Sequence, residues 1–289
     1  MNRSIDGPPA SLLKNERFAS ILTRLRMPSE PEQVRRPVEA NVLPRYRDDW
    51  HARHREKTRR AACLVLSQIQ RDFAPSSILD IGCGHGDWLR MATGLGIADV
   101  MGCDGPWIDR TQLVIPQSAF RCAMLDHSIT FGRRFDLIVC TEVGEHLAPS
   151  ASQSLVDTIT SHADLVLFGA AIPYQGGYRH INEKWQSWWA GHFEDRGYAT
   201  FDLIRPLLWE QPIDFWYKQN TLVYVRQSRT DLMQRAEAAA ARLPRARLSL
   251  DVVHPEQYTR IASYESIAFR PFLRNFPRAT WRKLKSMVT

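Results

Sequence analysis

Ile78-Leu79-Asp80-Ile81-Gly82-Cys83-Gly84-His85-Gly86-Asp87-Trp88 decides the fold. The apolar run Ser77–Gly82 reads as a short buried strand, closed near its end by Asp80. Gly82, Gly84 and Gly86 follow in GxGxG spacing, and Asp87-Trp88-Leu89-Arg90-Met91 then opens a helical pattern. Glycines at such a turn let the backbone take φ > 0 and come close to a ligand. A dinucleotide fingerprint needs GxGxxG, and its third glycine would fall at position 87, where this chain has aspartate. An acid at a helix start also repels a pyrophosphate. The loop therefore suits a ligand without phosphate, for which acidic neighbours are tolerable.

Working outward, strand and helix signals alternate. Residues 45–73 lack glycine and proline and place Ala62, Leu66, Ile69 and Phe73 at helical spacing. Further strands are expected at 98–104, 119–125, 135–142, 164–171, 198–205 and 220–227, and helices at 87–95, 150–162, 183–196 and 228–243. Runs such as Leu137-Ile138-Val139-Cys140 are apolar throughout, as in strands covered on both faces. This alternation predicts an α/β fold with a mostly parallel sheet between helices. The stretch 206–218 carries Pro206, Pro212 and several aromatics and offers no good helix, so the last two strands are expected to be an antiparallel pair.

The carboxylates set the register. Asp104 ends the second strand about 20 residues after the glycines, where an acid in a nucleoside site accepts from the ribose hydroxyls. Asp126 follows the third strand and can accept from an adenine amino group, with Leu125 or Met124 against the ring. Asp80, Asp104 and Asp126 follow consecutive strands, which gathers them at the carboxyl edge where open α/β sheets bind ligands. With the later Thr141-Glu142-Val143-Gly144-Glu145-His146-Leu147, this pattern resembles the class I S-adenosylmethionine (SAM)-dependent methyltransferases. The resemblance covers roughly residues 75–227. It implies a Rossmann-like seven-stranded sheet in the order 3-2-1-4-5-7-6, with the last strand antiparallel. It implies SAM as cofactor, held by Asp80, Gly82, Cys83, Gly84, Gly86, Asp104, Leu125, Asp126 and Glu142. Each residue also has a structural reading: a glycine turns a chain, Asp104 caps a helix, and Asp126 sits in a surface turn.

Methyl transfer to oxygen is an in-line displacement at carbon, so the protein must align two reactants and can remove a proton from the acceptor. Candidate groups lie beyond the fourth and fifth strands: Glu145 and His146 in one segment, His180 in the loop 172–182 with its paired glycines. His180 is the expected general base or acceptor anchor; its structural alternative is loop stabilisation. The stretch 180–198 resembles a segment of bacterial methyltransferases acting on glycans or related hydroxyl compounds. That implies a sugar or glycan hydroxyl as acceptor. Glu142, Glu145 and His146 at i, i+3, i+4 could instead share a helical face and, with His180, hold a divalent metal. That set resembles the one in small-RNA 2′-O-methyltransferases, the rival reading. Trp185 and Trp189 are expected in the core or as a sugar-stacking wall.

Length and composition bound the rest. The chain has 289 residues, 44% hydrophobic and 24% charged, values of an ordinary globular domain with additions. We expect a polar, proline-containing leader at 1–44, a catalytic domain at 45–227 and a helical, basic extension at 228–289, with α-helical segments at both ends. A leader helix is suggested near 11–25. Lys and Arg exceed Asp and Glu by 38 to 31, a moderate excess that permits nucleic acid as a partner without favouring it. The arginines and lysines of 266–289, interleaved with aromatics, could touch a membrane surface peripherally. Five cysteines without a CxxC pair read as reduced core thiols and offer no zinc site. No signal-peptide pattern opens the chain, and the expected compartment is the cytoplasm. A dinucleotide oxidoreductase and a silent SAM-binding module are the readings outside this enzyme class.

Overall fold

The computed structural model describes residues 48–243 and 249–262. The leader 1–44 with its suggested helix, and the basic stretch 266–289, lie outside them.

Seven strands form one sheet: β1 Ser77–Ile81, β2 Asp99–Asp104, β3 Phe120–Cys122, β4 Leu137–Thr141, β5 Leu165–Gly169, β6 Tyr198–Phe201 and β7 Leu222–Arg226. Their order is β3-β2-β1-β4-β5-β7-β6, the order implied by the family pattern. β1 lies parallel to β2 and β4, with Leu79 opposite Met101 and Ile138. β7 runs antiparallel between β5 and β6, setting Leu167 opposite Val223 and Thr200 opposite Tyr224.

Side chains alternate across each strand, and the core divides accordingly. Ile78, Leu137, Val139, Leu165, Leu167, Val223 and Val225 point to one face. There they meet α1 (Asp48–Phe73), α2 (Asp87–Gly94) and α7 (Thr230–Ala241). Leu79, Ile138, Cys140, Val166, Phe168, Leu222 and Tyr224 point to the other, against α3 (Ser152–His162) and α4 (Gln186–Glu194). Each such side chain contributes about 1.5–3 kcal/mol on burial. Exposed ion pairs such as Arg133–Asp99 contribute about 0–1 kcal/mol, so apolar burial carries the fold.

The sequence-based boundaries need three corrections. The third strand is three residues long, because the chain leaves the sheet at the exposed edge after Cys122. Two short helices, α5 Arg205–Leu208 and α6 Phe215–Asn220, occupy the stretch expected to lack helix. Pro206 stands in the first turn of α5, where its missing N–H costs nothing, and α6 is held by burial of Phe215 and Tyr217. α4 starts at Gln186 rather than near 183, since Glu183 is engaged in bonding the loop before it. The final helix, α8, spans Pro255–Ala262. No described helix is long and apolar enough to cross a membrane. Cys63, Cys83, Cys103 and Cys140 are buried thiols and Cys122 is exposed.

Candidate active site at the carboxyl edge of the sheet

The glycine loop leaves β1 with Gly82, Gly84 and Gly86 all at positive φ (78°, 54° and 91°). Gly82 N donates to Cys103 O at 2.7 Å, tying the loop to β2. A Cβ on Gly82 would stand 2.2 Å from Val143 Cγ2, and one on Gly86 2.9 Å from Ile115. A Cβ on Gly84 would meet nothing within 4 Å. The outer glycines thus permit packing, while the middle one presents bare backbone to open space. Cys83 turns inward, its Sγ against Gly102.

Buried carboxylates surround this loop. Asp104 accepts from Gly84 N and Gly105 N, each at 2.7 Å. Burial raises its pKa, against the pull of these bonds and of one from the Trp107 side chain. Asp80 is buried with Oδ2 lacking a hydrogen bond. Burial, then the charges of Asp104 and Asp87, push it well above the usual carboxylate range. Asp87 is neutralised by α1: Arg59 Nε donates at 2.6 Å and Arg55 Nε lies 3.4 Å away. Leu125 is buried. Asp126, unlike these acids, is exposed, with Oδ1 3.3 Å from His127 Nδ1.

Beyond β4 the chain turns through Glu142, a non-glycine residue at φ 56°. Its carboxylate accepts from Gln175 Nε2 at 2.9 Å and Asn220 Nδ2 at 2.8 Å. Burial raises its pKa, and these two bonds oppose the rise. Gly144–His146 then forms a 3-10 turn seated on Trp189, whose ring would lie 2.6 Å from a Cβ at Gly144. Glu145 is fully buried, and neither oxygen has a well-formed hydrogen bond. Burial, then the charge of Glu142, drives its pKa well up.

The loop after β5 is zipped onto that turn. Ile181 N and Asn182 N donate to Glu145 O at 2.9 and 3.1 Å, and Asn182 Nδ2 donates to Gly144 O at 3.2 Å. This sets the His180 ring 4.8 Å from that of His146, edge to face. Burial, then the charge of His180, lowers the His146 pKa to about 4. His180 Nδ1 is 3.1 Å from Glu183 Oε1, and Gly177 leaves room for the ring, since a Cβ there would stand 2.2 Å from Nε2.

Glu145, His146 and His180 therefore come together, each offering a ligand atom within 4.8 Å of the others. The four-residue metal set weighed as the rival reading of the sequence is not assembled as such, because Glu142 stands outside this group. Residues 142–146 are not an α-helix, and Glu142 is turned toward Gln175 and Asn220. Trp189 belongs to the core, while Trp185 and Trp188 are exposed. Sequence reasoning missed Gln175, Asn220, Glu183, Arg55 and Arg59; the uninterrupted helical pattern of 45–73 placed the arginines on a helix but carried no sign of what they face.

Residues 51–210 match the model of a methyltransferase-domain family. No curated protein matches the chain. Among solved structures, DesVI of Streptomyces venezuelae is similar at 14% identity, covering 61% of this chain and 95% of its own, with a TM-score of 0.46. The plantazolicin methyltransferase BpumL, solved in complex with a pentazolic desmethylPZN analogue and S-adenosylhomocysteine (SAH), is similar at 15% identity, covering 62% and 88%, with a TM-score of 0.44. The methyltransferase domain of bacterial CtHen1-C is similar at 15% identity, covering 58% and 97%, with a TM-score of 0.41. The family match takes in more than half of the chain and sets the oxidoreductase reading aside. With the strand order 3-2-1-4-5-7-6 and the glycine loop, it shows that the chain belongs to the methyltransferase-domain family and is a class I SAM-dependent methyltransferase.

Proposed function

We propose that the protein transfers the methyl group of SAM to an acceptor hydroxyl, that of a sugar or glycan intermediate. The catalytic domain is assigned to 45–227, with 1–44 as leader and 228–289 as extension. The donor's cationic sulfonium and amino groups suit the acidic rim. Asp80, Asp104, Glu142 and Glu145 are all buried or nearly so, and none has an ion-pair partner among the described residues. A cationic ligand relieves that charge, whereas a pyrophosphate would add to it. In this reading Gly84 admits the ligand to the backbone, Gly82, Cys83 and Gly86 shape the turn, and Asp104 accepts from the ribose. Leu125 and Asp126 border the adenine, and Asp80 and Glu142 face the methionine end.

The observation that carries the acceptor reading is the meeting of Glu145, His146 and His180. His146 is neutral at physiological pH, with its pKa lowered to about 4, and a neutral imidazole can take a hydroxyl proton. Glu183 beside Nδ1 holds the His180 ring. A positioned base of this kind contributes about 10²–10⁴-fold. The test is labelled-methyl transfer from SAM onto fractionated lysate of the source cell, comparing the parent protein with His180→Ala. Label in a glycosidase-sensitive product, reduced at least 100-fold in the variant, supports the reading; label in a nuclease-sensitive product overturns the glycan acceptor.

The same three residues support a second reading, a divalent cation at Glu145, His146 and His180. Two imidazole nitrogens and a carboxylate oxygen are a fitting donor set, and neither Glu145 oxygen is taken up by a well-formed hydrogen bond. Such an ion would orient and acidify a ribose 2′-hydroxyl. Full activity in chelator, or no metal retained by the purified protein, removes this reading.

A further inference from the structure

Residues 249–262 bond to the loop that carries His180. Buried Arg205 anchors their start, donating to Leu250 O at 2.7 Å and Ser249 O at 3.2 Å. Asp251 accepts from Ser187 N at 2.8 Å and Ser187 Oγ at 2.7 Å. Gln186 Nε2 bridges Gln219 O and Val252 O, both at 3.1 Å. On α8, Gln257 Nε2 donates to Tyr174 O at 2.9 Å, and Arg260 donates to Gln175 O.

Two paths run from these contacts into the site. Tyr174, whose carbonyl Gln257 holds, donates its amide to Glu183 Oε2 at 2.8 Å, and Glu183 Oε1 is 3.1 Å from His180 Nδ1. On the other side, His254 N donates to Gln219 Oε1 at 2.8 Å, and Gln219 Nε2 donates to Gln175 Oε1 at 3.1 Å. Gln175 in turn donates to Glu142. The buried residues of this stretch, His254 and Gln257, are polar, while Val253, Tyr258 and Ile261 are exposed. Leu250 packs on the core, His254 on Trp209 and Arg260 over Phe215; apolar burial is non-directional, and the bonds are what fix the angles of the stretch. One of its targets, Tyr174, sits at φ 67°, a conformation that persists only where surrounding contacts over-determine it. Its N–H and C=O are both engaged.

We propose that residues 249–262 are a polar latch on the acceptor-side loop, with Gln257 and Arg260 as positioning residues that set His180 through Tyr174 and Glu183, and Glu142 through Gln175. The proposal rests on the reading of His180 and Glu142 as working residues of the site.

Amide exchange and ring-nitrogen NMR of His180 on the full chain test it, neither requiring the acceptor. In Gln257→Leu, exchange over 172–183 should quicken at least tenfold while β4 and β5 keep their rates, and the His180 ring signals should move away from the Nδ1-bonded form. Arg260→Leu should repeat the effect, Arg260→Lys should stay within about threefold of the parent, and Tyr258→Ala, an exposed change on the same helix, should match the parent. If Gln257→Leu does not fold, Arg260→Leu carries the test. Parent-like loop exchange in a folded variant overturns the latch, as does acceleration spread evenly through the sheet. Failure of the protein to bind SAH in a parallel calorimetric titration would strike the reading of the site and leave the exchange result to stand by itself.

Discussion

Glu145 and His146 are neighbours with opposite pH consequences. The folded pKa of Glu145 is raised by burial and by Glu142, so its contribution to stability is full below the ordinary glutamate value of 4.5 and is lost as pH rises through the folded value. Glu145→Gln keeps the shape and removes the charge. We expect it to be more stable than the parent at pH 7.5 by about 1–3 kcal/mol, with the gap closing on acidification. His146 is lowered from 6.5 to about 4. Its contribution is full above 6.5 and is lost as pH falls from 6.5 toward 4, by roughly 3 kcal/mol at most. His146→Asn should flatten that acid limb. Urea unfolding of the three proteins between pH 4 and 8 checks both signs; an unchanged acid limb in His146→Asn would refute the second.

The element that presents these two residues is a single 3-10 turn, and its seat is one indole. Trp189 packs on Phe168 with ring centroids 5.0 Å apart and is almost fully buried. Trp189→Ala should cost about 3–5 kcal/mol. Trp189→Phe should cost much less, because the buried indole N–H has no partner to lose. Thermal unfolding distinguishes them, and a loss in alanine no larger than in phenylalanine would show that the turn is held elsewhere. At this scale the sequence was readable where pattern is local. Ile78 to Trp88 announces strand, glycine turn and helix within eleven residues, and the unbroken apolar runs of β4 and β5 match their burial on both faces. It was unreadable where partners are remote. Gln175 and Asn220 reach Glu142 from 33 and 78 residues away, and neither spacing nor composition marks a glutamine as a carboxylate's partner. Glu142, Glu145 and His146 look helical by spacing alone; the chain instead takes a positive φ at Glu142 and a 3-10 turn over Gly144–His146.

For the whole molecule, the dominant feature of the site is a set of carboxyl groups at one sheet edge, Asp80, Asp104, Glu142 and Glu145, without ion-pair partners among the described residues, in a chain whose net charge is +7. A ligand that binds only the folded state stabilises it by RT ln(1 + [L]/Kd). SAM at 100 times its Kd should therefore raise the unfolding free energy by about 2.7 kcal/mol, and NAD⁺ at the same concentration should leave it unchanged. Asp104→Asn should weaken the SAM effect. Equal stabilisation by NAD⁺ would contradict the charge argument.

The placement of β7 between β5 and β6 also governs the order in which the molecule can be made. Among the described residues β6 has no neighbour in the sheet except β7, and the ribosome delivers β6 first. A nascent chain that has emerged only to Phe201 therefore holds an unpaired strand and, beside it, the open edge of β5, whose five residues are all buried in the finished protein. Such an edge invites pairing with other chains. A chain cut short before Leu222 should collect in the pellet of a cell lysate, and translation through residues 202–226 is the interval in which the protein most needs a chaperone.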